Sequence, residues 1–129
     1  MKVTYLGHAA IKVEEGGLTL FFDPWIRGNP KCPISLLEQV ERADFVFVSH
    51  DHGDHGLEDA IEICKRTGAT FVGIYELATY AQERGVKNTV GMNFSGLKQI
   101  SSDVKVALVP VCHSSERGAP AGFIVELHG

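Results

Sequence analysis

The sequence predicts a mixed α/β fold, and three observations predict it. Short strand-like segments fill the opening third, strands alternate with amphipathic helices through the middle, and strands return at the end. Its 129 residues suit one domain, and 44% hydrophobic against 22% charged residues describe a chain that folds.

In the opening third, Val3 and Tyr5 alternate with Thr4 and Leu6, and Ile11 and Val13 with Lys12 and Glu14. Glu15-Gly16-Gly17 signals a turn into the strand Leu18 to Phe22, so a hairpin is predicted there. Asp23-Pro24 ends that strand. The stretch Pro24 to Pro33 is rich in proline and must be a loop. Ser35-Leu36-Leu37-Glu38 has the form of a weak capping box, enough for one or two helical turns.

Phe45 to Val48 is continuously apolar, as a strand buried on both faces requires. Leu57, Ala60, Ile61 and Cys64 then recur at helical spacing, with Lys65 and Arg66 in the last turn and Gly68 as the stop. Thr70 to Gly73 reads as a second buried strand. Leu77, Tyr80 and Ala81 mark a second helix ending at Gly85. Strand–helix–strand order implies parallel strands. Beyond Gly85, strands are predicted over Asn88 to Met92, Leu97 to Ile100, Val104 to Val111 and Phe123 to Leu127, with a polar loop from Ser114 to Pro120.

Composition narrows the function. Lys and Arg number 12 against 16 Asp and Glu, a formal charge of −4 with no block of like charge. That argues against loose binding to nucleic acid or anionic lipid. No apolar run approaches the ~20 residues that span a bilayer, and the first residues lack the apolar stretch of a signal peptide, so the cytoplasm is the expected compartment. Cys32, Cys64 and Cys112 form neither a disulfide framework nor a C-x-x-C pair. Cys32 and Cys64 are read as free, mostly buried thiols, and Cys112 stands next to His113.

The strongest signal is Ser49-His50-Asp51-His52-Gly53-Asp54-His55, at the C-terminal end of a buried strand. Residues i and i+2 of an extended segment point the same way, so His50 and His52 can converge on one ion. Gly53 is expected to make the tight turn that returns Asp54 and His55 to the same point. Imidazoles with a carboxylate suit zinc, iron, manganese or nickel better than calcium or magnesium. Asp51 projects between these ligands and is read as solvated or as a supporting group. His113, at the end of another strand, is a candidate third histidine on the ion of His50 and His52, and three protein ligands leave a position open for water. By itself His8 reads as a loop histidine, Asp23 as a turn-former or an acceptor orienting a ligand histidine, and His128 as surface.

The pattern His50-x-His52-x-Asp54-His55 resembles the signature of the metallo-β-lactamase superfamily. Gly7-His8-Ala9, Asp23-Pro24-Trp25-Ile26-x-Gly28-Asn29-Pro30 and His113 are similar to the UPF0173 group of metal-dependent hydrolases, relatives of the ascorbate-6-phosphate lactonases. The resemblance covers the whole chain and implies an αββα sandwich. It also implies that His50, His52 and His113 bind one metal and Asp54 and His55 a second, and it raises His8 to a residue lining the site or contacting metal.

Superfamily members are about two such halves long, and the second half supplies a bridging aspartate and a last histidine. Residues 1–129 are therefore expected to form the N-terminal half of a metallo-β-lactamase-like domain. The resemblance implies a hydrolase that uses a divalent metal, zinc first, with manganese, nickel or iron as alternatives, as one or two ions. Its expected substrate is a small molecule carrying an ester, lactone, amide or phosphodiester. Asp54 would hold the water or the second metal and accept a proton, while His8 would stabilise substrate or leaving group. A second copy or a separate chain is expected to complete the fold. Two alternatives stand beside this reading: a non-catalytic metal-binding half-subunit, and, more distantly, a mononuclear iron oxygenase of the persulfide dioxygenase type.

Overall fold

A computed structural model describes residues 1–128. The opening segments pair as β1 (Lys2–Gly7), β2 (Ala10–Glu15) and β3 (Leu18–Phe22), an antiparallel meander. β4 (Phe45–Phe47) joins β3 in parallel, and β5 (Thr70–Ile74) and β6 (Thr89–Met92) continue the parallel half. The result is a six-stranded mixed sheet in sequence order. A second sheet is antiparallel, with β7 (Lys98–Gln99), β8 (Val104–Pro110) and β9 (Ala121–Leu127) in that order.

The two helices lie between the parallel strands in sequence. Helix α1 (Leu57–Thr67) buries Leu57, Ala60, Ile61, Ile63 and Cys64. Glu58 and Asp59 occupy its first turn and Lys65 and Arg66 its last, each complementing the helix dipole. Gly68, at φ 79°, ends it by donating its N–H to the Cys64 carbonyl at 2.9 Å. Helix α2 (Tyr75–Glu83) buries Leu77, Ala78 and Ala81.

Val46, Phe47, Val48, Phe71 and Val72 are completely buried, as continuously apolar central strands require. Phe22 stacks on Phe47 with ring centroids 4.6 Å apart, and Phe123 of the second sheet meets Phe47 edge-on at 5.3 Å. The stack lies within the first sheet, and Phe123, which meets both of its rings, joins the two sheets; such aromatic pairs are each worth ~0.5–1.5 kcal/mol beyond area burial. Past them, a cleft between the sheets is lined by Val13, Leu20, Phe22, Val125 and Leu127.

Three expectations need correction. The predicted capping box at Ser35–Glu38 becomes a short 3-10 turn over Leu37–Gln39, in which Gln39 Oε1, not Glu38, accepts the N–H groups of Ser35 and Leu36. The strand predicted over Leu97–Ile100 shrinks to Lys98–Gln99, because Ile100 already turns to donate to the Val104 carbonyl. Gly53 adopts no conformation reserved for glycine and only begins a 3-10 turn over Gly53–His55. The left-handed residue is Gly56, at φ 74°, where a Cβ would lie 2.7 Å from the Pro24 carbonyl oxygen. Among the described residues, no helix is long and apolar enough to cross a membrane.

Candidate metal centre

Parallel strands end at one edge of a sheet, and the loop after β4 leaves the first sheet there. It carries His50, His52, Asp54 and His55. The loop after β8 brings His113 from the second sheet to the same place. One nitrogen each of His50, His52 and His113 lies within 4.8 Å of the others. Ligand atoms of His8, Asp54 and His55 form a second such group. The two groups adjoin, since the His50 and His55 ring centroids are 4.0 Å apart.

The hydrogen bonds behind these rings fix which nitrogen faces the cluster. Asp23 is buried after β3, and its Oδ1 accepts the Ser49 N–H at 2.7 Å. Its Oδ2 accepts the Ser49 hydroxyl at 2.7 Å and pairs with His55 Nδ1 at 2.9 Å. The Ser49 proton being committed to Asp23, His50 Nδ1, at 2.8 Å, must donate to Ser49 Oγ. His113 Nδ1 likewise donates to the Ser114 carbonyl at 2.9 Å, since a carbonyl only accepts. In His50, His55 and His113 alike, Nε2 is left to face the cluster. This is the support that metal-ligating histidines receive.

His50 is 3% exposed, and its Nε2 is the buried side-chain polar atom without a hydrogen-bond partner among the described residues. An unpaired buried nitrogen is costly unless something satisfies it. Burial, reinforced by the neighbouring His55 and His113, pushes the His50 ring down to about 4, so it is neutral near pH 7 with its lone pair available. His55 moves the other way: its hydrogen bond to Asp23 raises it despite burial. For Asp54, burial favours the protonated acid, but the charges of His55 and His8 and a hydrogen bond from His8 outweigh it and hold the carboxyl below its usual range. The donor set, imidazoles with one carboxylate, fits a borderline transition metal, so the residues present fit the expected ion.

His8 is brought fully into the cluster. Its Nε2 lies 3.0 Å from Asp54 Oδ2, and its ring meets His55 and Trp25 edge-on. His8 and Asp23, at φ 54° and 45°, are two of the three non-glycine residues with left-handed backbone among those described. Such strain persists where the surroundings over-determine it, commonly at functional sites. Those surroundings are visible. Asn29 Nδ2 donates to the Gly7 and Trp25 carbonyls at 3.2 and 2.9 Å, tying the proline-rich loop to the end of β1. Asp59 of α1 is buried and accepts the N–H groups of Ile26 and Arg27 at 2.8 and 2.9 Å.

Two residues escaped the sequence reading. Ser49 stands in the motif with no role of its own in the pattern, although a hydroxyl just before a candidate ligand is a signal for support of this kind. Asp51, expected to be solvated or supporting, is 8% exposed and pairs with Arg117 at 2.6 Å, a residue that nothing in the local pattern singled out. His128 is at the surface as expected, 3.5 Å from Asp103. Cys64 is buried, Cys32 half-buried and Cys112 exposed, and none joins either ligand group.

The chain is similar to known proteins over its whole length. It is 47% identical over 129 residues to a UPF0173 metal-dependent hydrolase of Korarchaeum cryptofilum, covering 100% of this chain and 56% of that protein. It is equally 47% identical, over 134 residues, to one from Methanopyrus kandleri, covering 97% and 56%. Among solved structures, Igni18, a metallo hydrolase from Ignicoccus hospitalis, superposes with a TM-score of 0.87 at 36% identity, covering 98% of this chain and 56% of that one. The chain thus spans about half the length of the curated relatives it matches. Its sheets and helices are those of the metallo-hydrolase fold over that half. Since the beta-lactamase superfamily domain matches residues 2–127, the chain belongs to that family.

Proposed function

We propose that this chain supplies the metal-binding half of a hydrolase, with His50, His52 and His113 holding one divalent ion and Asp54 and His55, beside His8, helping to hold a second. The observation that carries the reading is the buried, unpartnered Nε2 of His50 beside His52 and His113. Zinc suits the donor set best, with manganese, nickel and iron as competitors. A metal held by these residues would lower the pKa of its bound water to about 7 and so supply hydroxide near neutral pH.

The chain's own residues do the rest. Asp23 and Ser49 fix the tautomers of His55 and His50. Asp54, an ionised carboxylate about half exposed, accepts a proton from the attacking water. His8, hydrogen-bonded to Asp54 Oδ2, lies where it can share that proton or pass it to a leaving oxygen. An ester, lactone, amide or phosphodiester of a small molecule fits this chemistry. The apolar cleft between the sheets, and relatives about twice as long, favour a further segment or a second copy covering that face.

Native mass spectrometry with elemental analysis tests the reading. The expected result is stoichiometric transition metal, lost in His50→Ala and His52→Ala. Normal metal content in either variant sinks the ligand assignment.

A further inference from the structure

His113 is exposed, lies in a loop without regular structure, and comes from a different sheet than His50 and His52, so something must hold it in place. Ser114 Oγ lies 3.4 Å from His52 Nε2 and the Ala121 N–H donates to the Ser49 carbonyl at 2.8 Å, but most contacts between the two loops fall on Asp51. The Asp51 N–H donates to Ser115 Oγ at 2.9 Å, and its carbonyl accepts the Glu116 N–H at 3.2 Å. Its carboxylate receives Arg117 Nη1 at 2.6 Å. Arg117 is also seated from the other side, its guanidinium carbon 3.9 Å from the ring centroid of Tyr80 on α2. Tyr80 is braced in turn, donating its hydroxyl to Glu58 of α1 at 2.9 Å. Gly118, at φ 70°, lets the loop settle on the start of α2, where a Cβ would come within 2.8 Å of Ile74.

We propose that Arg117 is a positioning residue for the metal centre: by pairing with Asp51 and stacking on Tyr80, it locks the His113 loop onto the His50–His52 loop. This rests on the reading of His50, His52 and His113 as a metal site. Asp51 is well placed for the task, lying between the two candidate ligands of its own loop, so a tether on Asp51 sets the distance between the loops directly. The guanidinium suits both partners because it is planar, donating at its edge to a carboxylate while its face lies on an aromatic ring. A lysine keeps the charge but loses the flat stacking. Arg117 itself touches no member of either ligand group.

The test is cobalt(II) binding, read as affinity by chelator competition and as the visible cobalt spectrum, which reports coordination. Arg117→Ala is expected to weaken affinity by ~10–100-fold, the usual range for groups supporting a ligand, and to shift the spectrum. Arg117→Lys should fall between Ala and the parent. In a His113→Ala background, Arg117→Ala should cost nothing further, because the ligand it positions is gone. An equal loss in both backgrounds would mean general weakening of the fold and overturn the proposal, as would parent-like affinity and spectrum in Arg117→Ala. If Arg117→Ala does not fold by circular dichroism, Arg117→Lys carries the test, and parent-like binding with no change of spectrum overturns the proposal. A parent protein that takes up no cobalt overturns the metal reading itself, a result distinct from a loaded parent with an unaffected variant.

Discussion

The Asp23 carboxylate lies 2.9 Å from His55 Nδ1, and the same Oδ2 takes the Ser49 hydroxyl that supports His50. One buried carboxylate therefore orients one histidine in each of the two ligand groups. Asp23→Asn keeps the shape and tolerates the left-handed backbone that Asp23 adopts. It removes the charge and leaves a single oxygen to do the work of two. Metal affinity is expected to fall ~10–100-fold with both ions affected. Titration with a chromophoric chelator measures it, and loss of one ion alone would refute the shared role.

The two groups should separate by mutation. His113→Ala is expected to lower occupancy of the ion shared with His50 and His52, leaving a weaker two-histidine site. His8→Ala should lower occupancy at Asp54 and His55 while leaving the first ion bound. Metal-to-protein ratios by elemental analysis decide, and an unchanged ratio in His8→Ala returns that residue to lining the site.

Asp59 anchors the loop that carries Trp25. Asp59→Ala strips the acceptor from the N–H groups of Ile26 and Arg27, and Ile26 is 1% exposed. Leaving such donors unpaired costs about 1–3 kcal/mol each, so urea denaturation should show a loss of at least about 2 kcal/mol. A loss below about 0.5 kcal/mol, the ordinary range for surface changes, would contradict the anchoring role.

The cysteines should differ in reactivity. Burial pushes the Cys64 thiol from 9.0 up to about 12, whereas Cys112 is exposed. A thiol whose folded pKa is raised favours the fold with its proton on. That contribution is complete below pH 9 and fades as pH climbs from 9 towards 12. At pH 8, iodoacetamide should modify Cys112 in the native protein and spare Cys64 until the chain unfolds. Peptide mapping checks it, and early labelling of Cys64 would show that α1 opens readily.

Much of this was legible in the chain. The run Phe45–Val48 and the spacing of Leu57, Ala60, Ile61 and Cys64 announce a buried strand and an amphipathic helix because those signals are local and periodic. The histidine motif was legible for the same reason, its members standing within six residues of one another. The supports were harder to read. Asp51 meets Arg117 across 66 residues of chain, and His8 meets Asp54 across 46. Such pairings depend on which sheet edges face one another, and no period in the sequence records that. A glycine inside the motif points to a turn at Gly53, yet the backbone uses a glycine's freedom at Gly56, where the start of α1 crosses Pro24.

The aromatic contacts hold the sheets together on one side, and the histidines meet on another. Because His50 and His52 come from one sheet and His113 from the other, a cation shared by the three would act as a rivet through both layers. Its removal should loosen β8 and β9 relative to the six-stranded sheet more than it loosens either sheet internally. Ligand linkage sets the scale: at free metal 100 times the dissociation constant, binding adds about 2.7 kcal/mol to stability. Amide exchange in β8 and β9 should then accelerate on chelation while that of β4 and β5 barely changes, so that loading the site and closing the two-sheet packing become one event.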